Sequence, residues 1–201
     1  MLNMIVNIRG CNGAGKSTVP MSMMELDPDY EVIKLGVSKT GKPCSPAITV
    51  FHKLGWVALG TYFNKTGGMD TYSNNAETKQ ALEYALSNYP DYDIVMEGVI
   101  ASTIKSTYAE LFHVLEDWGY QVLIMAFVPP LEVCLKRIQQ RNGGKPIKEE
   151  LVAGKWRSVN SGVDYFRAQG LTCLRIDTSK CSKESMLKNF FKTVEKYRRT
   201  P

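Results

Sequence analysis

Short apolar runs alternate with longer amphipathic stretches along almost the whole chain. The runs near 3–9, 31–35, 93–97, 121–128 and 172–176 predict strands. Residues 122–128 are apolar at every position, which is the pattern of a central parallel strand covered on both faces. Between the runs, apolar residues recur at helical spacing near 16–25, 74–88, 102–117, 131–142, 149–168 and 182–197. Ser182, with Glu184 and Ser185, supplies the polar start of the last helix, and Pro130 suits the first turn of the helix at 131. Strand and helix in alternation predict an α/β chain with a parallel sheet and crossover helices. Segment 36–72 breaks this rhythm. Its glycines and prolines (Gly36, Gly41, Pro43, Pro46, Gly55, Gly60, Gly67, Gly68) surround the apolar stretch from Trp56 to Phe63, which predicts one short extra strand.

The chain has 201 residues, enough for one α/β domain and short for two, so 1–201 reads as a single unit. No run of about 18 apolar residues is present, so no membrane span is expected. The apolar N-terminal stretch lacks a charged leader and reads as the first strand rather than a signal peptide. Five scattered cysteines without a C-x-x-C pair argue against a zinc site or disulfide framework and point to a reducing cytoplasm. The formal net charge of +5 suits a binder of anions and permits a nucleic-acid partner without requiring one. Nothing in the sequence sets the oligomeric state.

Residues 10–17, Gly10-Cys11-Asn12-Gly13-Ala14-Gly15-Lys16-Ser17, satisfy G-x-x-x-x-G-K-S/T between a predicted strand and a predicted helix. That context is what a phosphate-binding loop needs. The glycines admit positive φ and close approach to an anion, while the loop amides, including those of Asn12, Ala14 and Thr18, point inward at the phosphates. Lys16, an exposed loop side chain on this reading, reaches the outer phosphates, and Ser17 ligates Mg²⁺.

Further residues point to phosphoryl transfer. The strand at 93–97 ends in Glu97-Gly98, where a carboxylate beside the phosphate loop can hold Mg²⁺ or accept a proton. Gly67-Gly68-Met69-Asp70 puts a second acid on a glycine-rich loop, making Asp70 a candidate general base for an acceptor hydroxyl. No acid follows the strand at 31–35, so Asp70 and Glu97 are the available choices, and the residues alone do not decide between them. Residues 136–157 are rich in cations, and Arg137 and Arg141, four apart, share a helix face. With the Asn142-Gly143-Gly144-Lys145-Pro146 loop this order resembles the lid of small kinases, which implies Arg137 on the bound phosphates and Arg141 and Arg157 on the transferring group; a solvated basic face is the alternative.

Two absences narrow the reading. Asn64-Lys65-Thr66-Gly67 resembles the start of a guanine-recognition motif, but Gly67 stands where an Asp is required, which disfavours a GTPase switch. No Leu-Ser-Gly-Gly-Gln signature is present, which disfavours a transporter-type ATPase.

From Ile5 to Asp177 the layout resembles the nucleoside and nucleotide kinase group of P-loop proteins. That resemblance implies a three-layer fold, a five-stranded, mostly parallel sheet with helices on both faces, and ATP with Mg²⁺. More narrowly, Asn7 to Thr18, Leu59-Gly60-Thr61-Tyr62 with Gly67 to Thr71, and Met96 to Ser102 are similar to the 5-hydroxymethyl-deoxyuridine DNA kinases of bacteriophages. This implies a hydroxymethyl group on a base of phage DNA as acceptor, Lys16 and Ser17 on phosphate and metal, and Asp70 and Glu97 at the reaction centre. Segment 36–72 then becomes the acceptor-binding insertion. Lys39, Lys42, Lys53 and Lys65 supply a basic rim for DNA, and Trp56, Tyr62 and Tyr72 are open to base stacking or core packing. A kinase of a free nucleoside, nucleotide or small metabolite, and a nucleotide-binding protein without transfer activity, remain alternatives.

Overall fold

Strand β1 (Met4–Arg9) is buried along its whole length because it lies between strands on both sides and helices on both faces. Its side chains alternate. Met4, Val6 and Ile8 enter one core, and Ile5 enters the other. The computed structural model describes residues 2–37, 40–63 and 67–198. Among these, β1 is followed by α1 (Thr18–Leu26), β2 (Glu31–Val37), β3 (Pro43–Phe51), β4 (Trp56–Leu59), α2 (Asn75–Asn88), β5 (Asp93–Glu97), α3 (Val99–Thr103) and α4 (Ser106–Asp117). Then come β6 (Gln121–Phe127), α5 (Leu131–Arg141), α6 (Glu149–Ala168), β7 (Cys173–Ile176) and α7 (Lys183–Tyr197).

One sheet has the order β2-β3-β4-β5-β1-β6-β7. The run β4-β5-β1-β6-β7 is parallel throughout, while β3 is antiparallel to both of its neighbours. The three-layer α/β fold is therefore the expected one, but the sheet has seven strands rather than five. The strand missed was β3. Gly41, Pro43 and Pro46 crowd its start and conceal the β-branched run behind them. Pro46 is tolerated because it falls opposite the register shift between Lys34 and Gly36, where the ladder is already interrupted. The expected extra strand is β4, and β2 is carried to the edge of the sheet.

Helices α1, α5 and α7 cover one face through Val19, Met23, Cys134, Ile138, Met186 and Phe190. Helices α2, α4 and α6 cover the other through Ala81, Leu82, Phe112, Leu115, Val163 and Phe166. Strand β6 is buried at every position between them. No helix among the described residues is long and apolar enough to cross a membrane. The predicted helix at 102–117 is two helices, α3 and α4, broken at Ile104 and Lys105. The carboxyl ends of β1, β5 and β4 lie together at one edge of the sheet, which is where open α/β sheets bind ligands.

Candidate active site

The chain leaves β1 at Arg9 and turns through residues 10–17 into α1. This loop is held from three sides. Thr178, buried after β7, donates its hydroxyl to the Ala14 carbonyl at 2.8 Å. Arg137 Nη2 donates to the Thr178 carbonyl at 2.7 Å, and its Nη1 lies 3.4 Å from the Gly13 carbonyl. Cys11 Sγ meets Cys134 Sγ of α5 at 3.4 Å. Gly13, at φ +78°, packs so closely on α5 that a Cβ there would stand 2.4 Å from the Cys134 carbonyl oxygen.

Lys16 is 5% exposed and its Nζ donates to the Cys11 carbonyl at 3.2 Å, so it is a buried cation, not an exposed loop side chain. Glu97, at the end of β5, pairs with Ile8 of β1 in parallel register. Sheet pairing thereby sets its carboxylate against the loop, and Ser17 Oγ donates to Glu97 Oε1 at 2.9 Å. Burial pushes the Glu97 carboxyl up to about 7, against the opposing pull of Lys16 and the Ser17 hydrogen bond.

Asp70 sits in a one-turn 3₁₀ helix, Met69–Thr71, that follows the Gly67-Gly68 turn. Its Oδ2 accepts the Val99 amide at 2.8 Å and its Oδ1 the Ile100 amide at 3.1 Å, so the carboxylate caps the start of α3. A cleft of about 390 Å³ joins these parts. Its lining includes Asn12, Lys16, Ser17, Asp70, Arg137 and Arg141, with Tyr62 and Val99 as apolar walls.

Three expected features are placed differently. Arg157 is well exposed, forms an ion pair with Glu150 and does not line the cleft. The cation of α6 that does meet the phosphate loop is Lys155, whose Nζ lies 3.4 Å from Asn12 Oδ1. Both lie on α6 two positions apart, so they point to different sides, and sequence gave no reason to prefer the lysine. Thr178 was missed too, since a lone threonine after a strand carries no motif. Trp56 and Tyr72 belong to the core: Trp56 packs edge-on against Phe190, and the Tyr72 hydroxyl donates to the Ala47 carbonyl at 2.6 Å. Tyr62 is buried as well, but on the cleft wall. The four lysines do not form one rim. Lys42 precedes β3 at the phosphate-loop edge of the sheet, whereas Lys53 follows β3 at the opposite edge and pairs with Asp29. Lys39 and Lys65 lie outside the described residues.

Among the described residues no cluster of three His, Cys, Asp or Glu side chains is present. A single hydroxyl and a single carboxylate, Ser17 and Glu97, do not make a protein cage. They fit a cation that keeps most of its water and takes phosphate oxygens, as Mg²⁺ does.

A family model described as 5-hmdU DNA kinase matches residues 3–174. A protein of that name from Bacillus phage SP10 is 44% identical over 95% of this chain, which spans 29% of that protein's length. A 5-hmdU DNA kinase of Pseudomonas phage M6 is 37% identical, with 83% of this chain and 87% of that protein aligned. Among solved structures, the YorR protein of Bacillus subtilis in complex with phosphorylated GDP matches at TM-score 0.54 and 14% identity, covering 98% of this chain and 99% of that one. The tunicamycin resistance protein of Deinococcus radiodurans matches at 0.55 and 15%, covering 96% and 95%. These structural likenesses concern the fold.

Proposed function

The chain belongs to the 5-hmdU DNA kinase family, and from that premise we propose that it transfers the γ-phosphoryl group of ATP to the hydroxymethyl oxygen of 5-hydroxymethyluracil in DNA. The observation that carries the reading is one cleft lined by the phosphate loop and by the Asp70 carboxylate, with the buried Glu97 hydrogen-bonded to Ser17 of its wall.

The loop amides and Lys16 bind the phosphates and balance the charge that spreads over the γ-phosphoryl oxygens during transfer. Ser17, and Glu97 through water, would hold Mg²⁺, and the ion would supply positive charge against the negative charge of the phosphates. Each Asp70 oxygen accepts one amide and keeps a further lone pair, so the carboxylate can take the hydroxymethyl proton as that oxygen attacks phosphorus. The bond from phosphorus to the β–γ bridging oxygen breaks, and ADP leaves. Arg141 at the end of α5, and the segment 136–157 as a lid, close over the nucleotide. Segment 36–72 supplies the acceptor side through Tyr62, Gly67 and Asp70. The reaction belongs in the reducing cytoplasm, in keeping with five free cysteines.

The test is to offer labelled ATP and Mg²⁺ with hydroxymethyluracil-containing DNA, thymine DNA and free hydroxymethyldeoxyuridine monophosphate. Label in the first alone supports the reading. Label confined to the free nucleotide replaces it with a nucleotide kinase. Slow hydrolysis that no acceptor stimulates makes the protein a binder without transfer activity.

A further inference from the structure

Arg9 is a buried cation that no part of the chemistry above uses. Strand alternation sends it, with Ile5 and Asn7, into the face covered by α2, α4 and α6, where it is 2% exposed. Among the described residues no carboxylate meets it. Its Nη1 donates to Asn7 Oδ1 at 3.0 Å, its Nη2 donates to the Ala101 carbonyl at 2.6 Å and to the Ile104 carbonyl, and its Nε has no acceptor among the described residues. The guanidinium stacks 4.6 Å from the Phe166 ring centre and 5.5 Å from that of Tyr108. Burying a guanidinium without a counter-ion is costly, so its partners carry the explanation. Two of those partners are carbonyls at the C-terminal end of α3, Ala101 within it and Ile104 just past it.

Helix α3 has five residues and cannot stand by itself. It is held at three points. Asp70 caps its first amides, and Arg9 takes carbonyls at its C-terminal end. Ser102, 2% exposed, accepts the Gly10 amide at 3.1 Å, which is the first amide of the phosphate loop, and donates to the Gly98 carbonyl. A continuous path of hydrogen bonds therefore runs from the phosphate loop through Ser102 and α3 to Asp70.

We infer that Arg9 and Ser102 are positioning residues that hold α3, and through it Asp70, in register with the phosphate loop. The inference rests on the reading of Asp70 as the acceptor-side carboxylate. Neither residue lines the cleft, so their loss removes no group from its wall. It lets the acceptor side drift relative to the phosphates, and a displacement of about 1 Å costs about 10²-fold in turnover.

The experiment compares the parent chain with Ser102→Ala and Arg9→Met. It measures kcat and KM on hydroxymethyluracil-containing DNA, Mg²⁺-dependent ATP affinity by calorimetry, and Tm. For Ser102→Ala, kcat is expected to fall about 10- to 100-fold with ATP affinity within about threefold, while Tm falls by only a few degrees as the buried Gly10 amide loses its acceptor. Arg9→Met follows the same split if it folds; Ser102→Ala, which removes one oxygen, decides the matter if it does not. A Ser102→Ala chain with parental kcat overturns the inference, as does a parallel loss of ATP affinity. A parent chain that binds ATP but leaves the DNA unlabelled instead overturns the functional reading on which the inference stands.

Discussion

Asp70 lines the cleft, whereas Glu97 is buried behind it on Ser17. Glu97 is buried against Lys16 and Ser17, and desolvation raises its carboxyl from 4.5 to about 7. Between those values the folded chain holds a proton that the unfolded chain has released. Its stabilising contribution is therefore complete below about 4.5 and is lost as pH rises through about 7. Without nucleotide, Glu97→Gln should remove this slope and leave the chain more stable than the parent at pH 8, by up to roughly 3 kcal/mol. Urea melts of both chains at pH 5 and pH 8 check it, and parallel slopes would refute the placement of Glu97. Asp70 accepts two amides and faces the cleft. Asp70→Asn should lower kcat about 10²- to 10⁴-fold with ATP affinity nearly kept. Steady-state kinetics beside calorimetry separate the two quantities; equal losses in both would make Asp70 a metal or structural residue.

The turn that delivers Asp70 depends on Gly68. It stands at φ +63°, and a Cβ there would lie 2.3 Å from Glu97 Oε1. Gly68→Ala combines strain with a collision against a buried carboxylate, so the turn must shift. A loss of about 2 kcal/mol is expected, together with loss of turnover, because Asp70 moves with the turn. Denaturant melts and transfer assays report the two effects, and a stable, active Gly68→Ala chain would show that the turn is not held as described. Here the glycine pair was a visible signal, while its reason was not: Gly68 and Glu97 are far apart in sequence and meet only because β4 and β5 are neighbours.

The sheet also determines which basic residues can share a ligand. β3 has nine residues and spans ~30 Å, so the lysines beyond its two ends lie at opposite edges. Lys42→Ala should weaken DNA binding and reduce its salt dependence, whereas Lys53→Ala should leave both nearly unchanged. Filter-binding titrations at several salt concentrations test this, with equal effects counting against it. The first strand and the residue after the last helix meet through Asp93 at the start of β5. It accepts the Met4 amide at 2.8 Å and forms a largely buried ion pair with Arg198, just beyond α7. Arg198→Ala leaves that carboxylate without its charge partner and should cost about 3 kcal/mol in a denaturant melt, with kcat kept. A change under 1 kcal/mol would place the pair among weak surface contacts.

The phosphate loop was legible in full because its eight residues are contiguous, and its chemistry depends on local backbone freedom. The central strands and most helices were legible for a related reason: burial on two faces, or on one, writes a period into neighbouring positions. β3 was not, because the prolines and glycine at its start obscure the period and its pairing partners come from outside the segment. Nor did spacing in the chain reveal that Ser17 meets Glu97, that Asp70 caps α3, that Lys155 rather than Arg157 meets the loop, or that Arg9 holds a helix end. Those contacts join residues brought together by strand order and register, and side-chain direction on a long helix is settled only by what it packs against.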